Sequence, residues 1–189
     1  DGNAVSNTYT LNFSYGSGMV ATGTGVLLNN EMDDFSAQPG VPNAFRLVGA
    51  EANAVAPGKR PLSSMSPTIV LKDGNPVLTV GAAGGPKIIT QALLAIVNYI
   101  DRELPIDESI RRARIHHQWR PNRLFVEKGF SPKTIEALRS RGHDIEILSS
   151  AGTSQAIARG NDGNLIGVAD PRSQGKALGW SQVLEAISN

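Results

Sequence analysis

Three short stretches of this 189-residue chain carry groups whose type and spacing suit the handling of charge. In Pro61–Leu62–Ser63–Ser64–Met65–Ser66–Pro67, two adjacent hydroxyls lie between prolines that restrict the backbone. Two donors held in one direction can grip a carboxylate, although Ser and Pro also cluster in plain turns. In Asn29–Asn30–Glu31–Met32–Asp33–Asp34, three acids crowd one loop. Such acids repel unless a cation lies among them, so the loop is either a solvated acidic stretch or a seat for a cation or ammonium group. Its spacing does not follow the calcium-loop pattern. In Gly81–Ala82–Ala83–Gly84–Gly85–Pro86, glycines precede an apolar helical pattern and leave bare N–H groups where negative charge is stabilised. Neither a P-loop nor a dinucleotide fingerprint is completed, which makes phosphate the weaker use and an ordinary strand-to-helix turn the alternative. The adjacent His116 and His117 invite a metal, but neighbouring side chains diverge on any regular element. No i+4 partner or cysteine completes a site, so they read as structural and no metal is expected.

The elements that must position these groups can be read in order. Asp-Gly-Asn occurs at Asp1, Asp73 and Asp162, and Asp-Gly between apolar runs is a strong hairpin signal. The later two copies join Thr68–Leu71 to Val77–Val80 and Ala156–Arg159 to Leu165–Ala169; the first implies a hairpin whose leading strand lies ahead of Asp1. From Ala4 to Phe13 the pattern alternates, with Val5, Tyr9, Leu11 and Phe13 on an apolar face and Ser6, Thr8, Thr10 and Asn12 on the other. Val20–Leu28 reads as a strand buried on both sides. Ser36–Ser66 is a long Pro/Gly/Asn/Ala-rich covering loop that ends at the serine pair. Lys87–Asp101 is a broad apolar helix, Asp107–Ala113 a shorter one, and Ser131 caps a third that stops near Gly142. Leu124–Val126 and Ile145–Leu148 read as strands. Trp119 and Trp180 read as core or interface, and 173–189 as a tail.

Composition narrows the partners. With 40% hydrophobic and 19% charged residues the chain can bury one core, and a net charge of +1 without a basic run argues against nucleic acid. No apolar stretch is long enough to span a membrane. There is no cysteine, hence no disulfide and no thiolate nucleophile.

Taken together, Thr8–Asn12, Asn29–Ser36, Lys59–Thr68, Gly84–Gly85, His116–Trp119 and Asp170–Arg172 resemble the small, C-terminal subunit of gamma-glutamyltranspeptidases, members of the N-terminal-nucleophile hydrolase superfamily. The resemblance covers 1–172, leaving 173–189 outside. It implies an α+β fold of four αββα layers, to which this chain contributes the C-terminal part without its first strand. It implies a precursor that cleaves itself, a large-subunit partner, no cofactor, and a periplasmic or secreted location. Transfer or hydrolysis would proceed through a threonyl acyl-enzyme formed from gamma-glutamyl amides such as glutathione, with an amino acid, peptide or water as acceptor. Carried over by motif, Thr10 would bond the nucleophile; Asn12, Glu31 and Asp34 would hold the α-ammonium; Ser63 and Ser64 would hold the α-carboxylate. Gly84 and Gly85 would donate to the oxyanion.

Two departures qualify the resemblance. The family's nucleophilic threonine lies about nine residues ahead of Asp1, roughly one strand's length, so the chain as given is expected to be inactive alone. In the lid Pro39–Val48, Phe45 stands where many members carry tyrosine, which predicts a looser lid. A cephalosporin or glutaryl acylase is the enzymatic rival, but a glutaryl group has no ammonium and would not need Asp34. An inert binding domain is the other rival.

Overall fold

The computed structural model describes residues 2–160 and 162–179. Asp1 of the first expected turn, Trp180 and most of the expected tail therefore lie outside the described residues.

The chain is α+β. Strands β1 (Thr68–Lys72), β2 (Asn75–Ala83), β6 (Thr153–Arg159) and β7 (Leu165–Ala169) form an antiparallel four-stranded sheet in the order β1-β2-β6-β7. Both expected Asp-Gly hairpins are its turns, and at the first, Asp73 and Gly74 take φ of 51° and 78°. Helix α1 (Lys87–Ile96) runs on through a wider π turn, Val97–Asp101, and α2 (Ile106–Arg111) follows. Period-two alternation points Leu78 and Val80 of β2 and Ala156 and Ala158 of β6 toward these helices. There they form the core with Ala95, Ile106 and Ile110. The opposite face keeps Ile69 and Ile157 exposed.

A second sheet, β3-β4-β5, is built from Ile115–His116, Leu124–Glu127 and Ile145–Leu148. Its parallel pair, β4 and β5, is joined by α3 (Pro132–Ser140), as a parallel crossover requires. Ser131 caps α3 by accepting the Thr134 N–H at 3.0 Å, with proline at the first helical position.

Three expectations change. The Ala4–Phe13 segment forms no ladder among the described residues, and its alternation runs the other way: Ser6 and Thr8 turn inward while Val5 and Tyr9 are 80% and 89% exposed. Ser6 and Thr8 pack over Gly81 of β2, and the Ser6 hydroxyl donates to Val80 O at 2.9 Å. Val20–Leu28 is an exposed, tight reversal rather than a buried strand. It holds one bridge, Val20 to Leu27, and turns over Gly23 and Gly25 at φ of 77° and 73°. Trp119 is not core: it is 65% exposed, with the Arg120 guanidinium 4.4 Å above its ring. Within the tail, residues 173–179 are irregular.

Candidate active site

The acidic loop folds into a single 3₁₀ turn, Glu31–Asp34. With three residues per turn, side chains at i and i+3 eclipse, so Glu31 and Asp34 share one face. Burial raises the Glu31 carboxyl above its ordinary value, and the charge of Asp34 and a hydrogen bond shared with it push the same way. Burial raises Asp34 too; the bond from Glu31 opposes this and the Asp33 charge adds to it. Glu31 Oε1 is buried without a partner, a lone acceptor that a cationic group would satisfy. Asp33 accepts the Ala44 N–H on Oδ1 at 3.4 Å, and its Oδ2 is likewise buried without a partner.

Asn30 stitches the N-terminal segment to this turn. Its N–H donates to Leu11 O at 3.1 Å and its side-chain oxygen accepts the Phe13 N–H at 2.9 Å. Between those bonds Asn12 adopts φ of 72°, with its N–H given to the Thr10 hydroxyl oxygen at 2.8 Å. Its amide nitrogen donates to Asn30 O at 3.1 Å, which fixes the amide's orientation and leaves Oδ1 as the acceptor it can offer. The left-handed residue ends the strand-like alternation, yet Thr10 and Asn12 still line the same cavity.

That cavity, of about 510 Å³, gathers the residues to which the motifs gave a role: Thr10, Asn12, Glu31, Asp34, Phe45, Ser63, Ser64, Gly84 and Gly85. Ser63 is exposed and accepts the Met65 N–H at 3.1 Å, and Ser64 is half-buried. Gly84 and Gly85 turn from β2 into α1 at φ of 146° and 60°, which L side chains rarely adopt. Among the described residues neither glycine N–H donates to another protein group.

The lid residue Phe45, which lacks a hydroxyl, makes its contacts through its carbonyl and its ring. Phe45 O accepts from the Gln118 amide nitrogen at 3.0 Å, and the Phe45 ring meets Phe13 edge-on with centroids 5.3 Å apart. The ring also covers Gly85, where an added Cβ would lie 2.7 Å from it. Gln118 is itself held by His116, whose Nε2 bonds Gln118 Oε1 at 2.9 Å while Nδ1 faces the Thr90 hydroxyl at 2.8 Å. Burial lowers the His116 pKa below its ordinary value, and its two ring bonds make the buried histidine a link between α1 and Gln118. Among the described residues no group of three or more His, Asp or Glu side chains could hold a metal ion.

Behind the glycine turn lies an ion network that motif reading marked through Asp170–Arg172 but gave no role. Asp170 binds both Arg114 and Arg172, Arg172 also bonds Glu127 at 2.7 Å, and the Asp170 and Glu127 side chains are almost wholly buried. Burial alone would raise Asp170, but the Arg172 N–H, the Arg114 guanidinium and the Ser154 N–H outweigh it and hold the carboxyl below its ordinary value. Gln91, Arg114 and Glu127 carried no local sequence signal, because only the fold brings them together, and Gln118 was marked only as part of the His116–Trp119 block.

Comparison with known proteins agrees with this geometry. The sequence profile described as Gamma-glutamyltranspeptidase matches residues 1–180. The chain is 56% identical over 173 residues to the glutathione hydrolase proenzyme of Escherichia coli, covering 92% of this chain but 30% of the relative. It thus spans about a third of the curated relatives it matches. Among solved structures, Helicobacter pylori gamma-glutamyltranspeptidase T380A is 48% identical with a TM-score of 0.88, over 91% of this chain and 95% of that one. The Pseudomonas nitroreducens enzyme complexed with L-DON is 43% identical with a TM-score of 0.90, over 95% of each chain. With the fold, the motif residues and the profile in agreement, the chain belongs to the gamma-glutamyltranspeptidase family of N-terminal-nucleophile hydrolases.

Proposed function

We propose that this chain is the small-subunit part of a gamma-glutamyl transferase and hydrolase, made as a precursor and working with a large subunit from that precursor. The observation that carries the reading is that one cavity presents acids, paired hydroxyls and a glycine turn together. These are complements to an ammonium, a carboxylate and a developing oxyanion. In this reading Glu31, Asp34 and the Asn12 Oδ1 hold the α-ammonium of a gamma-glutamyl group, and Ser63 and Ser64 hold its α-carboxylate. The γ-carbonyl oxygen then lies at the Gly84 and Gly85 N–H groups.

The attacking hydroxyl is assigned to a threonine of the precursor, with Thr10 as its hydrogen-bond partner. Its attack makes a tetrahedral oxyanion; collapse expels the amine and leaves the glutamyl ester, which water or an amino acid or peptide amine then cleaves. Donors aimed at the oxyanion are worth about 3 kcal/mol each in comparable sites. Domain limits of 1–172 and a periplasmic or secreted location complete the reading. Among the described residues no helix is long and apolar enough to cross a membrane.

The test is kcat/KM of the enzyme prepared from the complete precursor, on gamma-glutamyl- and glutaryl-p-nitroanilide, with and without Asp34→Ala. Breaking a desolvated charge pair costs about 2–5 kcal/mol. The gamma-glutamyl value is therefore expected to fall about 100-fold or more in the variant, while the glutaryl value changes little. Equal native activity on both substrates, or a variant that keeps the preference, contradicts it. The partnerless Glu31 Oε1 beside Asp34 favours the ammonium-bearing substrate over a glutaryl one.

A further inference from the structure

The glycine turn can stabilise an oxyanion only if its N–H groups point into the cavity, and the Gly84 N–H lies where the β2–β6 pairing ends at Ala83 and Thr153 and the chain passes to glycine, the residue least restricted in φ. The peptide that carries the Gly84 N–H is the one that carries the Ala83 carbonyl. In a trans peptide these two bonds point opposite ways, so whatever holds Ala83 O aims the Gly84 N–H. Ala83 O accepts from the side-chain nitrogen of Gln91 at 3.1 Å. Gln91 lies one turn into α1 and is 1% exposed.

The orientation of the Gln91 amide is itself determined. Its Oε1 accepts from Arg114 at 3.0 Å and from the Ser154 hydroxyl at 3.1 Å. A guanidinium has donors and no acceptor, so the amide cannot be turned round. Arg114 is locked in turn by Asp170 and by the carbonyls of Ile110 at 2.8 Å and Gly152 at 3.0 Å. The approach is close enough to require glycine on both sides. A Cβ at Gly84 would lie 2.9 Å from the Gln91 nitrogen, and one at Gly152 would meet that nitrogen and Ala83 O.

We infer that Gln91 is a positioning residue: held by Arg114 and Asp170, it fixes the Ala83–Gly84 peptide so that the Gly84 N–H is aimed at the oxyanion before the substrate arrives. The inference rests on the function proposed above. It also separates two effects that a core residue would merge, because an oxyanion donor acts on the tetrahedral state and much less on the ground state.

The test uses the mature two-subunit enzyme and two ligands: L-glutamate, for the ground state, and the γ-boronate analogue of glutamate, which adds the attacking hydroxyl and becomes a tetrahedral anion. Gln91→Glu keeps the acceptors for Arg114 and Ser154 but sets a carboxylate oxygen against Ala83 O. Gln91→Met, of similar length, removes the bond without adding charge and serves if the Glu variant does not fold. The expected result is a boronate affinity about 10- to 100-fold weaker, a matching fall in kcat, and a clearly smaller loss of glutamate affinity, because a planar γ-carboxylate meets the same N–H groups without the tetrahedral geometry they are aimed at. Loss of both ligands together, or of folded protein in both variants, makes Gln91 a core residue only and overturns the inference. So does an unaltered boronate preference in the variants while the wild type binds both ligands. A wild type that binds neither ligand removes the function reading, and the inference with it.

Discussion

Two buried carboxylate groups of this protein respond to pH in opposite senses. Asp170 is held below its ordinary value by the donors around it, so the folded state binds its proton more weakly than the unfolded chain does. Its stabilisation is complete above the ordinary aspartate pKa and is lost as pH falls through the depressed folded value. Glu31 is raised by burial and by Asp34, so its ionised form weakens the fold at neutral pH, and that penalty disappears as pH falls below the raised value. Thermal unfolding against pH should therefore show Asp170→Asn destabilised by about 3–5 kcal/mol at neutral pH, since it leaves Arg114 and Arg172 buried without their shared partner. The difference should narrow only as pH drops through the depressed value. Glu31→Gln should unfold at a higher temperature than wild type at neutral pH, and the two should converge in acid. Parallel curves for Asp170→Asn and wild type across that range would refute the network's charge. At this scale the acids, the serines and the glycines were legible, because adjacent like groups demand an explanation wherever they fold. Gln91 and Arg114 were not, since their partners are set by tertiary contact.

Among the elements, the lid is held through a backbone carbonyl and a ring. Phe45 has no hydroxyl, but its carbonyl is tied to Gln118 and its ring lies between Phe13 and Gly85. Within the lid, Asn43 Oδ1 accepts the N–H groups of Phe45 and Leu47, each at 3.0 Å. Gln118→Ala removes the side-chain hydrogen bond that this residue gives the lid, worth about 1 kcal/mol, along with its bonds to His116 and to Arg120 O outside the lid. Amide exchange over residues 43–48 should then speed up about five-fold while exchange in β2 and β6 stays unchanged. Unchanged exchange in the lid would assign its order to the Asn43 bonds alone. The hairpins at Asp73 and Asp162, the capped helix α3 and the apolar helix α1 could be read from pattern, because turn chemistry and helical spacing are local. The Ala4–Phe13 and Val20–Leu28 segments could not. In the first, a hydrogen bond from Ser6 to the backbone of β2 turns the polar face inward; in the second, two left-handed glycines reverse the chain where apolar content suggested a strand.

Across the whole molecule, the helices cover one face of the main sheet and leave Ile69 and Ile157 on the other 39% and 48% exposed. That face suits the second sheet of an αββα arrangement, in keeping with the proposed large subunit. The fold class was legible because several motif blocks recur in one order, whereas the faces of its first segment became clear only in the packed structure. All the groups at issue meet in one cavity, and the orientation of a ligand there is the most direct test. The measurement is a crystal structure of the mature enzyme with bound L-glutamate. The expected result is the ammonium within hydrogen-bonding distance of Asn12, Glu31 and Asp34, the α-carboxylate on Ser63 and Ser64, and the γ-carboxylate at the Gly84 and Gly85 N–H groups. Glutamate bound in the reverse sense, or outside this cavity, would contradict it.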